Sequence, residues 1–115
     1  MREFQATQSI LAKVLLKPGE SNAKRIKTVQ LAIGEIAELD QRSIQQYWEE
    51  ISKGTRAEQA RLHFRLINAK VQCMACFMEY HPIDGEIHCP YCGSYGAKIL
   101  SGEEFYIESI ELDHE

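Results

Sequence analysis

Four cysteines are the residues whose type and spacing most clearly predict chemistry. Cys73, Cys76, Cys89 and Cys92 form two pairs with the pattern C-x2-C-x12-C-x2-C. Two residues between cysteines allow one tight turn to direct both thiolates at a single point, and two such turns supply a tetrahedral set of sulfur ligands. The pattern predicts a four-cysteine zinc site.

This metal is expected to hold its segment together and not to catalyse a reaction. A catalytic zinc keeps one position open for water or substrate, whereas four thiolates fill the tetrahedron. The segment has few large aliphatic side chains, so metal binding should supply its folding free energy. Iron is the main alternative, because Pro90 and Gly93 in "CPYCG" resemble the second knuckle of rubredoxin, although "CMACF" lacks the corresponding glycine.

The histidines and carboxylates do not suggest a catalytic site. His81 and His88 lie within the cysteine segment, and each is expected at the surface or hydrogen-bonded to a metal ligand. Glu35 and Glu38 could be read as a carboxylate pair, but no histidine or serine lies at a sequence spacing from them that would indicate a catalytic site. We therefore expect a protein that is not an enzyme.

The charge and composition of the chain indicate which classes of binding partner it suits. The 115 residues carry a formal net charge of -4, and no Lys or Arg lies between Cys73 and Cys92, where Glu79, Asp84 and Glu86 are acidic. An acidic ribbon is a poor ligand for nucleic acid. No segment approaches the roughly 18 apolar residues of a membrane span, and paired cysteines are typical of metal binding in a reducing compartment. These features predict a cytoplasmic protein.

The first half of the chain predicts helix, strand and helix. Apolar residues recur at helical spacing over 4–16, and Pro18-Gly19 should end that helix. Residues 26–33 alternate as a half-buried strand that Gly34 ends. Asp40 is a good N-cap for the next helix, with Gly54 at its C-terminal cap. The apolar face of that helix comprises Ile44, Tyr47, Trp48 and Ile51.

The second half predicts two strands on either side of the cysteine segment. Residues 60–66 alternate, and 105–110 are β-prone with a slip in the alternation that a bulge or a strand covered on both faces would explain. An antiparallel pairing of these two strands would close the insertion. The predicted fold is α+β, with two helices on one face of a small three-stranded sheet and an inserted zinc ribbon. The expected domains are a body of residues 1–70 with 101–115, and a ribbon of residues 71–100.

Beyond the cysteines, three stretches resemble one family. The start "MREFQATQSIL", the strand end "LAIGEIAELD" and the four cysteines before a β-prone C-terminal segment resemble the HypA/HybF family of hydrogenase nickel-incorporation proteins. The resemblance covers almost the whole chain. It implies a nickel metallochaperone that helps deliver Ni(II) to the large subunit of nickel–iron hydrogenase with a partner GTPase, and that can form homodimers.

The resemblance also implies a nickel site at the N-terminus. The family's site lies in a Met-His-Glu start, whose amine, backbone nitrogens and imidazole suit Ni(II). Here the corresponding residues are Met1, Arg2 and Glu3. A guanidinium has no lone pair for a metal, so Met1 and Glu3 remain as candidate nickel ligands. The alternative is a nickel-deficient adaptor that keeps only the zinc-stabilised fold and partner binding.

Overall fold

The computed structural model describes residues 2–16, 25–83 and 86–113. Met1, Asp84 and the predicted turn at Pro18-Gly19 lie outside the described residues. Two helices and six strands follow one another along the described part: α1 (Arg2–Leu16), β1 (Ile26–Gly34), α2 (Gln41–Ile51), β2 (Arg61–Ile67), β3 (Lys70–Cys73), β4 (Glu79–Tyr80), β5 (Ala97–Ser101) and β6 (Phe105–Leu112). The predicted α+β class is confirmed.

The chain forms two compact units. The first, here called the helical unit, contains Met1–Ala32, Leu39–Arg65 and Tyr106–Glu115. The second, called the cysteine unit, contains Ile33–Glu38 and Leu66–Phe105. The sequence assigns residues 33–38 to the body, whereas their contacts lie with the cysteine unit. Whether the two units are separate functional domains stays a prediction.

The two helices pack against each other. The Phe4 and Tyr47 rings meet edge to face with centroids 5.2 Å apart. In α2, the Asp40 side chain accepts a hydrogen bond from the Ser43 amide, as the predicted N-cap should. The predicted core position of Trp48 is confirmed, because it is buried and its Nε1 donates to the Ala60 carbonyl oxygen at 3.2 Å.

The end of α2 differs from the prediction. Its C-cap is Ser52, whose N–H donates to the Trp48 carbonyl, and Gly54 follows two residues later with φ of 79°. Glycine is suited to that left-handed conformation. Gly54 therefore forms the turn that leaves the helix, and the helix itself ends two residues before it.

The pairing of the strands also differs from the prediction. The first sheet has the order β2-β1-β6 and the second the order β4-β3-β5, so the strands that flank the insertion lie on either side of β1 and do not pair with each other. The central strand is the most apolar, with five buried hydrophobic residues: Ile26, Val29, Leu31, Ala32 and Ile33. A strand covered on both faces favours the middle of a sheet. The insertion is closed instead by the antiparallel pair β3 and β5, with Cys73 opposite Ala97.

The outer strands β2 and β6 bury fewer apolar side chains than their alternation predicts. In β2, Leu62 is buried, Phe64 is half-buried and Leu66 is 52% exposed. In β6 the slip in the sequence is matched by two consecutive exposed residues, Glu108 and Ser109. Arg65 binds Glu108 through two short contacts of 2.6 Å and 2.9 Å. Both edge strands thus hold one apolar and one charged face.

Candidate metal centre

The structure brings the four cysteines together. Their sulfur atoms all lie within 4.8 Å of one another, with Cys73 and Cys92 at 3.5 Å and Cys76 and Cys89 at 3.7 Å. Four sulfurs placed tetrahedrally at the usual zinc–sulfur bond length would be about 3.8 Å apart. The donor set therefore fits a tetrahedral metal ion.

Each pair of cysteines lies in a tight turn, here called a knuckle. In the first, the Phe77 amide donates to the Cys73 carbonyl at 2.9 Å, and in the second the Gly93 amide donates to the Cys89 carbonyl at 3.0 Å. Cys73 is also the last residue of β3. These backbone hydrogen bonds thus define the turn from which the two sulfurs of each knuckle project.

Amide groups are also directed at the sulfurs. The N–H groups of Ala75 and Cys76 lie 3.3 and 3.4 Å from Cys73 Sγ, and the N–H of Tyr91 lies 3.4 Å from Cys89 Sγ. Donation from the Cys76 amide is the main reason that the pKa of the Cys73 thiol falls to about 6. A thiolate is the form that binds metal. The knuckle therefore favours the ligand form of Cys73 at neutral pH.

The two knuckles differ at one corresponding position. Phe77 and Gly93 each follow the second cysteine of a pair, and their φ angles are 64° and 82°. Glycine adopts this left-handed conformation freely, whereas another residue type loses about 1–2 kcal/mol there. The missing glycine in "CMACF" is thus a real cost, because the first knuckle keeps the same turn without it.

The two histidines of this segment do not join the cysteines. Within residues 2–16, 25–83 and 86–113, the converging group of possible metal ligands contains the four cysteines alone. The His88 ring lies against the Tyr95 ring with centroids 4.8 Å apart. His81 Nε2 lies 2.9 and 3.0 Å from the two carboxylate oxygens of Glu35.

Sequence reasoning missed the pairing of Glu35 with His81. The two residues are 46 positions apart, so neither spacing nor periodicity could indicate it. Glu35 Oε1 also accepts a hydrogen bond from the Ala69 amide at 2.8 Å. The carboxylate therefore links residues 33–38 to two other parts of the cysteine unit.

Replacing Glu35 by Gln should destabilise the protein at neutral pH. The Ala69 amide, and secondly His81, lower the pKa of the Glu35 carboxyl below its usual value. A pKa that is lower in the folded state stabilises the protein fully above the unfolded-state value, near 4.3, and loses that contribution as the pH falls through the folded-state value. Urea denaturation of both zinc-loaded proteins at pH 7, where the thiolates keep the metal, should show a lower free energy of unfolding for Glu35→Gln. An unchanged free energy of unfolding would contradict this. Exposed Glu50→Gln serves as the control.

At the other end of the chain, Glu3 lies in the first turn of α1. Its Oε2 accepts a hydrogen bond from the Asp40 amide at 3.0 Å, and this bond is the main reason that the pKa of the Glu3 carboxyl is lowered. Arg2 is the first residue of the helix and is exposed. The candidate ligand Met1 lies outside the described residues. The hydrogen bond from the Asp40 amide thus favours the ionised form of the Glu3 carboxyl.

Comparison with known families covers nearly the whole chain. The family described as "Hydrogenase/urease nickel incorporation, metallochaperone, hypA" matches residues 1–112. The chain belongs to the HypA family. The hydrogenase maturation factor HypA of Dehalococcoides mccartyi is 33% identical over all 115 residues and 97% of its own length, and that of Aquifex aeolicus is 31% identical over 98% of each chain.

Solved HypA structures have the same fold. The chain matches a solution structure of HypA protein with a TM-score of 0.69 and 22% identity, covering 100% of this chain and 98% of that one. It matches the Ni metallochaperone HypA from Helicobacter pylori with a TM-score of 0.64 and 21% identity, over 96% of each chain. The predicted HypA resemblance is confirmed, and with it a nickel-incorporation metallochaperone function. None of the helices in the described part is long and apolar enough to cross a membrane.

Proposed function

We propose that this HypA protein delivers Ni(II) to the large subunit of a nickel–iron hydrogenase in the cytoplasm, working with a partner GTPase and catalysing no reaction itself. The observation that supports it is the match of residues 1–112 to a family of nickel-incorporation metallochaperones. The same description includes urease, so a urease is the second kind of nickel acceptor to test. The match favours nickel delivery over the adaptor alternative.

We propose that the resident metal of the four cysteines is zinc and that its role is structural. Support comes from the closed donor set, since four sulfurs within 4.8 Å of one another leave no position for a substrate. Iron would fit similar distances. Metal analysis of purified protein distinguishes the two ions, and the absence of visible absorption would exclude a ferric thiolate centre.

The nickel cargo is proposed to bind at Met1 and Glu3. The lowered pKa of Glu3 keeps its carboxylate charged at neutral pH. Arg2 occupies the position where the family has histidine, and its guanidinium is protonated at any ordinary pH. A positive charge beside the site and the loss of an imidazole ligand both weaken binding of a divalent cation.

Calorimetric titration of Ni(II) into zinc-loaded protein with a free Met1 amine tests this site. We expect Glu3→Gln to weaken nickel binding, and Arg2→His to tighten it by about tenfold or more, since one ligand is gained and one positive charge is lost. Lys98→His likewise replaces a positive charge by an imidazole, at an exposed position of β5, and should leave the affinity unchanged.

Two results would count against nickel delivery by this chain. One is wild-type binding no tighter than about millimolar, which would leave the adaptor alternative as the function of this chain. The other is an equal response to Arg2→His and Lys98→His, which would count against delivery from the N-terminus by placing nickel elsewhere. Partner binding and the proposed homodimer can be measured separately by sedimentation with purified GTPase and large subunit.

A further inference from the structure

Phe77 occupies a position that suits glycine. Its φ of 64° matches the 82° of Gly93 in the other knuckle, and both residues donate the same backbone hydrogen bond across their turns. The backbone of Phe77 is held on both sides, because its carbonyl accepts from Gln72 Nε2 at 3.1 Å. The ring is therefore presented from a fixed and unfavourable backbone conformation.

Burial within the chain does not compensate for this conformation. The Phe77 side chain is 64% exposed. Three further large apolar side chains on the knuckles are exposed as well: Met74, Met78 and Tyr91. These side chains belong to the two knuckles, whose sulfurs converge within 4.8 Å, and together they are here called the knuckle surface. Exposed apolar clusters of this kind typically bind another protein.

The charge around the knuckle surface is acidic. The sequence has no Lys or Arg from Val71 to Ala97. Glu86 is exposed, whereas Glu79 is paired with Lys70 at 3.5 Å, and four thiolates with one divalent ion would add two further negative charges. An acidic surface repels nucleic acid and anionic lipid. Its electrostatic complement is a protein segment with lysine or arginine side chains.

We propose that the knuckle surface docks an apolar segment, flanked by lysine or arginine, of the protein that accepts the nickel. Phe77 is the central anchor of this interface, and Glu86 attracts the basic flanks. Aromatic and methionine side chains are the types enriched at such contacts. This inference rests on the proposed function, because it identifies how the same metallochaperone holds its acceptor.

The test measures binding of the purified, nickel-free hydrogenase large subunit to zinc-loaded protein at low and high salt. Phe77→Gly should weaken binding by about tenfold or more while zinc content and resistance to chelator stay equal or improve, because glycine relieves the backbone. Phe77→Asn, which also tolerates this conformation, should act in the same way. Glu86→Lys should weaken binding mainly at low salt.

Leu16→Ser is the matched control, since Leu16 is 79% exposed and lies in the helical unit. It should bind the large subunit as the wild type does. Equal affinity of wild type and both Phe77 variants would overturn the docking inference and leave nickel delivery intact. Absence of any wild-type binding would overturn the proposed acceptor and this inference with it. Self-association that Phe77→Gly abolishes, without a change in acceptor binding, would assign the surface to a second copy and also overturn the inference.

Discussion

Removing the metal from the four cysteines is expected to unfold the cysteine unit and to leave the helical unit folded. The buried cluster of the cysteine unit contains Val71, Cys73, Tyr80 and Cys89, so two of its four members are proposed metal ligands. Structural zinc binding is worth about 10–16 kcal/mol in small zinc domains. A core of this size cannot replace that free energy.

Amide hydrogen exchange before and after chelation measures this effect. Protection should disappear over residues 66–105 and persist in α1, α2 and the central part of β1. Restoring zinc should restore protection, whereas magnesium, which prefers oxygen ligands, should not. Cys73→Ser should reproduce the metal-free pattern. Loss of protection throughout both units, or in neither, would contradict the expectation.

Among the glycines that the structure describes, replacing Gly34 by alanine is expected to have the largest effect on stability. A Cβ at this position would lie 2.0 Å from the Gly102 carbonyl oxygen and 2.1 Å from its carbon. These are backbone atoms and cannot rotate away. The Gly34 amide also donates to the Glu104 carbonyl at 2.7 Å, which holds the two segments at this separation. We expect the free energy of unfolding to fall by more than about 3 kcal/mol.

Urea denaturation of the zinc-loaded protein checks this value. Gly96→Ala is the matched control, because the nearest atom to its added Cβ would be Ser94 Oγ at 3.9 Å. That variant should change the free energy of unfolding by less than about 1 kcal/mol. Equal effects of the two substitutions would show that the segments at Gly34 separate at little cost.

The features that the sequence predicts well depend on neighbouring residues. The spacing of the four cysteines predicts that they converge, and Asp40 with the apolar face of Ile44 and Trp48 predicts α2. In each case a local turn or a helical period places the side chains. The glycine of the "IGE" stretch that helped to identify the family has a structural role, because a Cβ at Gly34 would lie 2.0 Å from the Gly102 carbonyl oxygen.

The features that the sequence does not predict depend on residues that are far apart in the chain. Glu35 and His81 are 46 positions apart, so no short-range sequence pattern could predict their contact. The central place of β1 in the first sheet follows from how completely it is buried, not from its order along the chain. The left-handed conformation of Phe77 could not be predicted, because phenylalanine disfavours the positive φ that the knuckle requires.

The membership of residues 33–38 in the cysteine unit limits how this protein can be divided. The Ile36 amide donates to the Gly102 carbonyl, the Glu35 amide to the Ile67 carbonyl, and the Glu35 carboxylate accepts from Ala69. A peptide excised as one continuous piece from 66 to 105 would lack every one of these bonds. The zinc ribbon is consequently not a portable module, and gene fusions or chimaeras that exchange it must carry the distant "GEIAE" stretch along with it.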